Sequence, residues 1–198
     1  MGRYRTRTRS WRAIDPAATT PMPLAVNVRI LGLDPGSRRT GFGVIECRGS
    51  ELRPLAHGCF NVTTAAPAAR LRLIFERLRE LIQEHAPAEV AVERVFVSRN
   101  VDSALKLGQA RGAALCAVPA GVPVFEYAPR AIKLALVGSG AAEKFQVAHM
   151  VCTLLTLRER LGADAADALA VAVCHAHARR LRTLAAQPDV LRFGQAQR

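Results

Sequence analysis

The chain has 198 residues, half of them apolar, with 28 Lys and Arg against 16 Asp and Glu and a formal net charge of +12 at pH 7. A length within the usual single-domain range leaves no room for a second catalytic domain, and these fractions exclude collagen-like, low-complexity and membrane-bundle classes. The positive excess attracts polyanions, which makes nucleic acid the leading partner class before any motif is read.

The first 27 residues carry Arg3, Arg5, Arg7, Arg9 and Arg12 against a single acid, Asp15, followed by Pro16, Pro21 and Pro23. This composition predicts a disordered basic arm. A DNA-binding arm, an Arg-rich targeting peptide and a stretch that is not natively translated all remain open for it.

From Val28 the pattern becomes regular. Strands are predicted at Val28 to Asp34, Phe42 to Glu46 and Leu52 to Val62, with Gly36, Gly41 and Gly49 marking the turns of an antiparallel meander. Leu71, Ile74, Phe75, Leu78, Leu81 and Ile82 recur at helical spacing and predict an amphipathic helix that Pro87 closes. Glu89 to Glu93 reads as a short buried strand, Val101 to Val118 as a helix capped by Asn100, and Val122 to Glu126 as a strand. Helices over Pro129 to Val137, Ala141 to Glu159 and Asp164 to Leu181 follow, and residues 183–198 read as a polar tail. Three strands followed by alternating helix and strand predict an α/β domain with a mixed sheet.

Five cysteines, odd in number and without a C-x-x-C pair, support neither a disulfide framework nor a structural zinc site. With no apolar run near the roughly 18 residues a membrane helix needs and no secretory-type start, a soluble cytoplasmic protein without a membrane partner is expected.

Four acids fall where such a scaffold would present them. Asp34 and Glu93 end predicted strands, and Asp164 and Asp167 share one face at a helix start. Each alone has a bland reading as turn former, surface acid or cap. Grouped together, four carboxylates repel one another unless cations offset the charge, and two divalent ions would balance them. Hard oxygen donors select Mg²⁺ or Mn²⁺, and two such ions about 3.5 to 4 Å apart can activate a water and stabilise the leaving oxygen of a phosphodiester. Acids for metal on a basic chain point to a nuclease. Gly138 to Lys144 lacks phosphate-loop spacing and no HExxH is present. An actin-like ATP-binding reading of the Asp34-Pro35-Gly36 turn would need a much longer, two-lobed chain.

Four strings, ILGLDPGSRRTGFGVIE (30–46), VERVFVSRNVDSALKLGQARG (92–112), VFEYAPRAIKLALVGSGAAEKFQVAHMV (124–151) and DAADALAVAVCHAH (164–177), closely resemble the RuvC family of bacterial Holliday junction resolvases. The resemblance runs in order over about residues 28 to 180. It implies a ribonuclease H-like fold with a mixed five-stranded sheet flanked by helices, and a homodimer that places two symmetric nicks in a four-way DNA junction during recombination and repair. It also implies Asp34, Glu93, Asp164 and Asp167 as ligands of two Mg²⁺ or Mn²⁺ ions, and cooperation with the RuvA and RuvB branch-migration proteins. Phe96 matches an aromatic that stacks at the opened junction centre, and Lys133 and Lys144 match lysines near the scissile phosphate. Arg94, Arg99, Lys106, Arg111 and Arg130 are expected to add to the phosphate-binding surface, and the helix from Val101 corresponds to the dimer element, where Ala110, Gly112 and Ala113 would permit close packing or face the sheet. Family members begin with Met where Val28 stands, so translation is expected to start naturally at Val28. His175 and His177, about 200° apart on a helix, cannot share one ion from one face and are assigned to packing or surface; His149 has no assigned role.

Overall fold

The computed structural model describes residues 27–63, 66–94 and 100–185. The elements run in the order β1 (Asn27–Pro35), β2 (Arg39–Arg48), β3 (Glu51–Asn61), α1 (Pro67–His85), β4 (Glu89–Glu93), α2 (Val101–Cys116), β5 (Val124–Tyr127), α3 (Pro129–Val137), α4 (Lys144–Leu154) and α5 (Ala163–Ala185). One five-stranded sheet has the order β3-β2-β1-β4-β5, antiparallel from β3 to β1 and parallel from β1 to β5. The expected meander and mixed sheet are therefore present, with β2 longer than the apolar run Phe42 to Glu46 suggested. That run marks only the strand's apolar middle, whereas burial continues through Thr40 and Cys47 and ladder pairing runs out to Arg39 and Arg48.

The alternation of β-strand side chains splits the core in two. Ile30, Ile45 and Ala91 point to the face covered by α3, α4 and α5, and Leu31, Leu33, Val44, Val90 and Val92 to the face covered by α1 and α2. Helix α1 begins with Pro67 at its first turn, ends at Ala86 in the left-handed conformation (φ 43°), and buries Ile74, Leu78, Leu81 and Ile82. Each such side chain stabilises the fold by roughly 1.5 to 3 kcal/mol. In α2, Asn100 accepts a hydrogen bond from the Ser103 amide, as a cap should.

Helix α5 is the element that positions the acids. Its buried face is built mainly from Ala, and it crosses β1 and β2 at backbone contact. A Cβ on Gly32 would overlap the Ala168 carbonyl oxygen, and one on Gly41 the Asp164 carbonyl oxygen. Only glycine permits that approach. Two turns beyond the acids, α5 is tied to the N-terminal end of β4. His175, fully buried, lies 2.5 Å from Glu89 through Nε2 and 2.7 Å from the Tyr127 hydroxyl through Nδ1, and Arg179 Nε donates to Glu89 at 2.9 Å. Burial would raise the Glu89 pKa, but the bonds from His175 and Arg179 hold it below the ordinary value. An ionised Glu89 accepts only, so Nε2 of His175 donates to it. His175 is thus a packing residue, as its position on the helix led us to expect. Among the described residues no helix is long and apolar enough to cross a membrane.

Candidate active site

Asp34 stands at the carboxyl end of β1, Glu93 at the carboxyl end of its parallel neighbour β4, and Asp164 and Asp167 in the first two turns of α5. Parallel strands present their carboxyl ends at one edge of a sheet, and α5 crosses that edge, so three elements far apart in sequence bring four acids together. Burial, and then the neighbouring Asp167, pushes Asp34 up to about 6. Burial, Asp34 and Asp167 push Glu93 up to about 7. A metal-free site of this kind resists its own ionisation, and its all-oxygen donor set is that of a hard divalent cation. The acids do not close into a cage by themselves. Among the described residues no three His, Cys, Asp or Glu side chains converge as a ready-made metal site, and two acids are held by cations of the chain. Lys144 Nζ donates to Asp167 at 2.9 Å and Arg39 lies 3.6 Å from Asp164.

Glu93, Lys133, Lys144 and Asp167 line a hollow of about 220 Å³ floored by Ile132, Val147 and Ala170. Both lysines moderate the Glu93 shift, and Asp167, followed by Asp34 and Glu93, raises the Lys144 ammonium above its usual value. The two lysines expected beside the scissile phosphate thus face the carboxylates. Arg130 is exposed and its side chain lies over Gly140; Arg94 sits 3.7 Å from Glu126. Lys106 pairs with Asp102 at 2.6 Å on the exposed side of α2, a contact worth about 0.3 to 0.5 kcal/mol that a phosphate can displace. Phe96 and Arg99 lie outside the described residues.

Arg111 departs from the expectation of a phosphate contact. Its side chain is only 13% exposed, because it turns inward to donate to the Glu93 carbonyl oxygen and to Glu126, each at 2.5 Å. The sequence reading also missed two neighbours of Asp164, namely Arg39 and Cys59, whose Sγ lies 3.5 Å from the carboxylate. The only available signal was the Arg38-Arg39 pair directly after the Asp34 turn. Burial and then Asp164 push the Cys59 thiol up to about 11, so it is a neutral neighbour.

The raised carboxyls make a prediction with a definite sign. Between the unfolded values of 3.8 and 4.5 and the folded values of about 6 and 7, the folded chain binds more protons than the unfolded one. Stability from these groups is therefore full below pH 4 and lost as pH rises through 6 to 7. In EDTA, Asp34→Asn should be more stable than the parent at pH 8 by about 2 kcal/mol, after discounting for partial exposure, and the advantage should vanish near pH 4. Urea unfolding at the two pH values measures it.

A 3-2-1-4-5 sheet with an acid quartet at the carboxyl ends of its parallel strands, on a basic chain, defines a nuclease of the ribonuclease H-like class. The family model "Crossover junction endodeoxyribonuclease RuvC" matches residues 30–175. The RuvC of Alkalilimnicola ehrlichii is 57% identical over 150 residues, covering 75% of this chain and 91% of that one, and the RuvC of Methylococcus capsulatus is 55% identical over 152 residues, covering 76% and 92%. The solved structure of Thermus thermophilus RuvC in complex with Holliday junction substrate superposes with a TM-score of 0.74 at 39% identity, over 79% of this chain and 97% of that one. The chain belongs to the RuvC family of crossover junction endodeoxyribonucleases and is a metal-dependent nuclease.

Proposed function

We propose that this nuclease resolves four-way DNA junctions by paired symmetric nicks, with Asp34, Glu93, Asp164 and Asp167 holding two Mg²⁺ or Mn²⁺ ions. The observation that carries the reading is the gathering of these acids from β1, β4 and α5 at one sheet edge, within electrostatic reach of Asp34, with two of them pushed up by burial and mutual repulsion. When bound, the ions supply a water activated for attack and stabilisation of the leaving oxygen. The chain's own groups do the rest. The raised carboxyls of Asp34 and Glu93 would give up their protons to receive the cations, and Lys144, displaced from Asp167, would be left within reach of a backbone phosphate. Lys133 holds the same strand from α3, and Arg94, Arg99, Lys106 and Arg130 widen the phosphate-binding surface. Phe96, three residues beyond Glu93, stacks on a base unpaired at the junction centre, where each stacked base contributes roughly 1 to 3 kcal/mol.

Symmetric nicks require two sites, and α2 supports a homodimer. Val101 and Leu105, 79% and 61% exposed, continue through the exposed Gly108 and Gly112 at spacings of four, three and four, a stripe on the helix side away from the core. Ala110 instead packs into the core and Ala113 lies partly buried against it, so of the three small residues only Gly112 is free to meet a partner. RuvA and RuvB are its partners in branch migration, and the cytoplasm its compartment.

The test compares a mobile four-way junction with a linear duplex of matching sequence, in Mg²⁺, Mn²⁺ or EDTA. Metal-dependent nicks at symmetric positions of the junction alone are expected; equal cutting of the duplex would leave a nuclease and remove the junction. Binding of the junction in EDTA should weaken about 10³-fold or more between 50 and 200 mM salt if six or more phosphates are contacted, as fluorescence anisotropy would show.

A further inference from the structure

Glu93 is the last residue of β4, and its backbone sits at an exposed end of the ladder. Pairing between β1 and β4 stops at Leu33↔Val92, and Pro35, the final residue of β1, has no N–H to offer. On the other side the Arg94 amide donates to the Tyr127 carbonyl at 2.7 Å, after which β5 runs into Pro129. The Glu93 carbonyl finds its donor in α2 instead. One nitrogen of Arg111 bonds that oxygen, and the other nitrogen of the same planar fork bonds Glu126 on β5. Glu126 also lies within ion-pair distance of Arg94. A single largely buried guanidinium therefore fastens the ends of β4 and β5 to α2 at the residue that carries a carboxylate of the site.

We infer that Arg111 is a positioning residue for Glu93, acting on metal affinity through the Glu93 backbone, and that it makes no contact with DNA phosphate. The inference rests on the proposed metal-binding role of Glu93. A guanidinium suits this task because its fork fixes two acceptors in one plane, which a lysine ammonium does not. Loss of the fork frees the Glu93 carbonyl and lets the side chain sample orientations that do not meet a cation. Partners that orient metal-binding side chains from behind commonly contribute a factor of 10 to 100 in metal affinity.

The experiment compares the parent chain, Arg111→Met, Arg111→Lys and Glu93→Gln. Calorimetric Mn²⁺ binding without DNA, junction binding in EDTA across a salt series, and the Mn²⁺ dependence of nicking are measured, with thermal unfolding to show that each variant is folded. Arg111→Met should weaken Mn²⁺ binding by about 10-fold or more and shift the nicking curve to higher Mn²⁺, with the plateau recovered at excess metal. Its junction affinity in EDTA, and the salt slope of that affinity, should match the parent. Arg111→Lys should recover part of the metal affinity while keeping the charge, and it serves as the test if Arg111→Met does not fold. A salt slope reduced by about one with Mn²⁺ affinity unchanged would identify a phosphate contact and overturn the inference. Unchanged behaviour in every readout would overturn it as well. If Glu93→Gln binds Mn²⁺ like the parent, the metal role of Glu93 itself fails; if only Glu93→Gln loses Mn²⁺, Arg111 alone is ruled out.

Discussion

Asp34→Asn is expected to lose metal-dependent nicking by at least about 10³-fold while still binding a four-way junction in EDTA. The size follows from the position of the side chain. Asp34 lies in the electrostatic reach of all three other acids, being raised by Asp167 and Asp164 and itself raising Glu93. A neutral amide there removes one anionic donor from the middle of the quartet, and a loss of about 4 kcal/mol in transition-state stabilisation corresponds to that factor. Binding survives because the proposed phosphate contacts come from basic residues on other elements, and one fewer negative charge favours a polyanion. The same variant should be the more stable protein above pH 7 without metal. Activity and stability thus move in opposite directions at one residue, as expected where like charges are gathered for function. Gel analysis of labelled junctions, with binding measured in parallel, decides it; residual nicking above one per cent would remove Asp34 from the centre of the site.

Gly41→Ala should lower both stability and nicking, for an entirely different reason. The added Cβ would fall on the Asp164 carbonyl oxygen, a backbone atom in the first turn of α5 that cannot rotate away. Either α5 lifts from β2 or the first turn unwinds, and overpacking of this kind costs roughly 1 to 3 kcal/mol. For a chain of this size that corresponds to a fall in Tm of about 2 to 12 °C. The activity loss should exceed what the unfolded fraction explains, because Asp164 and Asp167 move with the turn. Gly49→Ala is the control. Gly49 is at a turn with nothing within 4 Å, so its positive φ of 62° makes the change mildly destabilising while the acids stay in place. Equal nicking by folded Gly41→Ala and parent would show that the turn tolerates the shift.

The acids and the sheet were legible because strand ends, turn glycines and the three-residue spacing of Asp164 and Asp167 are local patterns. Helix α1 stops at His85, just short of Pro87 as expected, but it starts at Pro67, a turn before Leu71; its apolar stripe marks only the turns that touch the core. Helix α5 likewise continues past the predicted Leu181 to Ala185. What escaped was tertiary. The inward turn of Arg111 depends on an unpaired carbonyl at the end of β4, and nothing within α2 announces it. The Glu89, His175 and Arg179 contacts join residues 86 to 90 positions apart, so the charge of Glu89 inside a buried strand had no visible partner. Arg39 and Cys59 meet Asp164 only because β2 and β3 lie beneath the start of α5.

Helix α5 is fastened at two points, by glycine-permitted backbone contact near its acids and by the Glu89 cluster about two turns later, and the stretch between them is held from both sides. A segment held in this way has no low-energy local opening of its own, and its amides should exchange with solvent only when the whole domain opens. The acid pair therefore rides on one of the last parts of the molecule to loosen. Heating should leave the site geometry intact until the cooperative transition, so that the temperature at which nicking collapses coincides with the melting of the fold instead of preceding it.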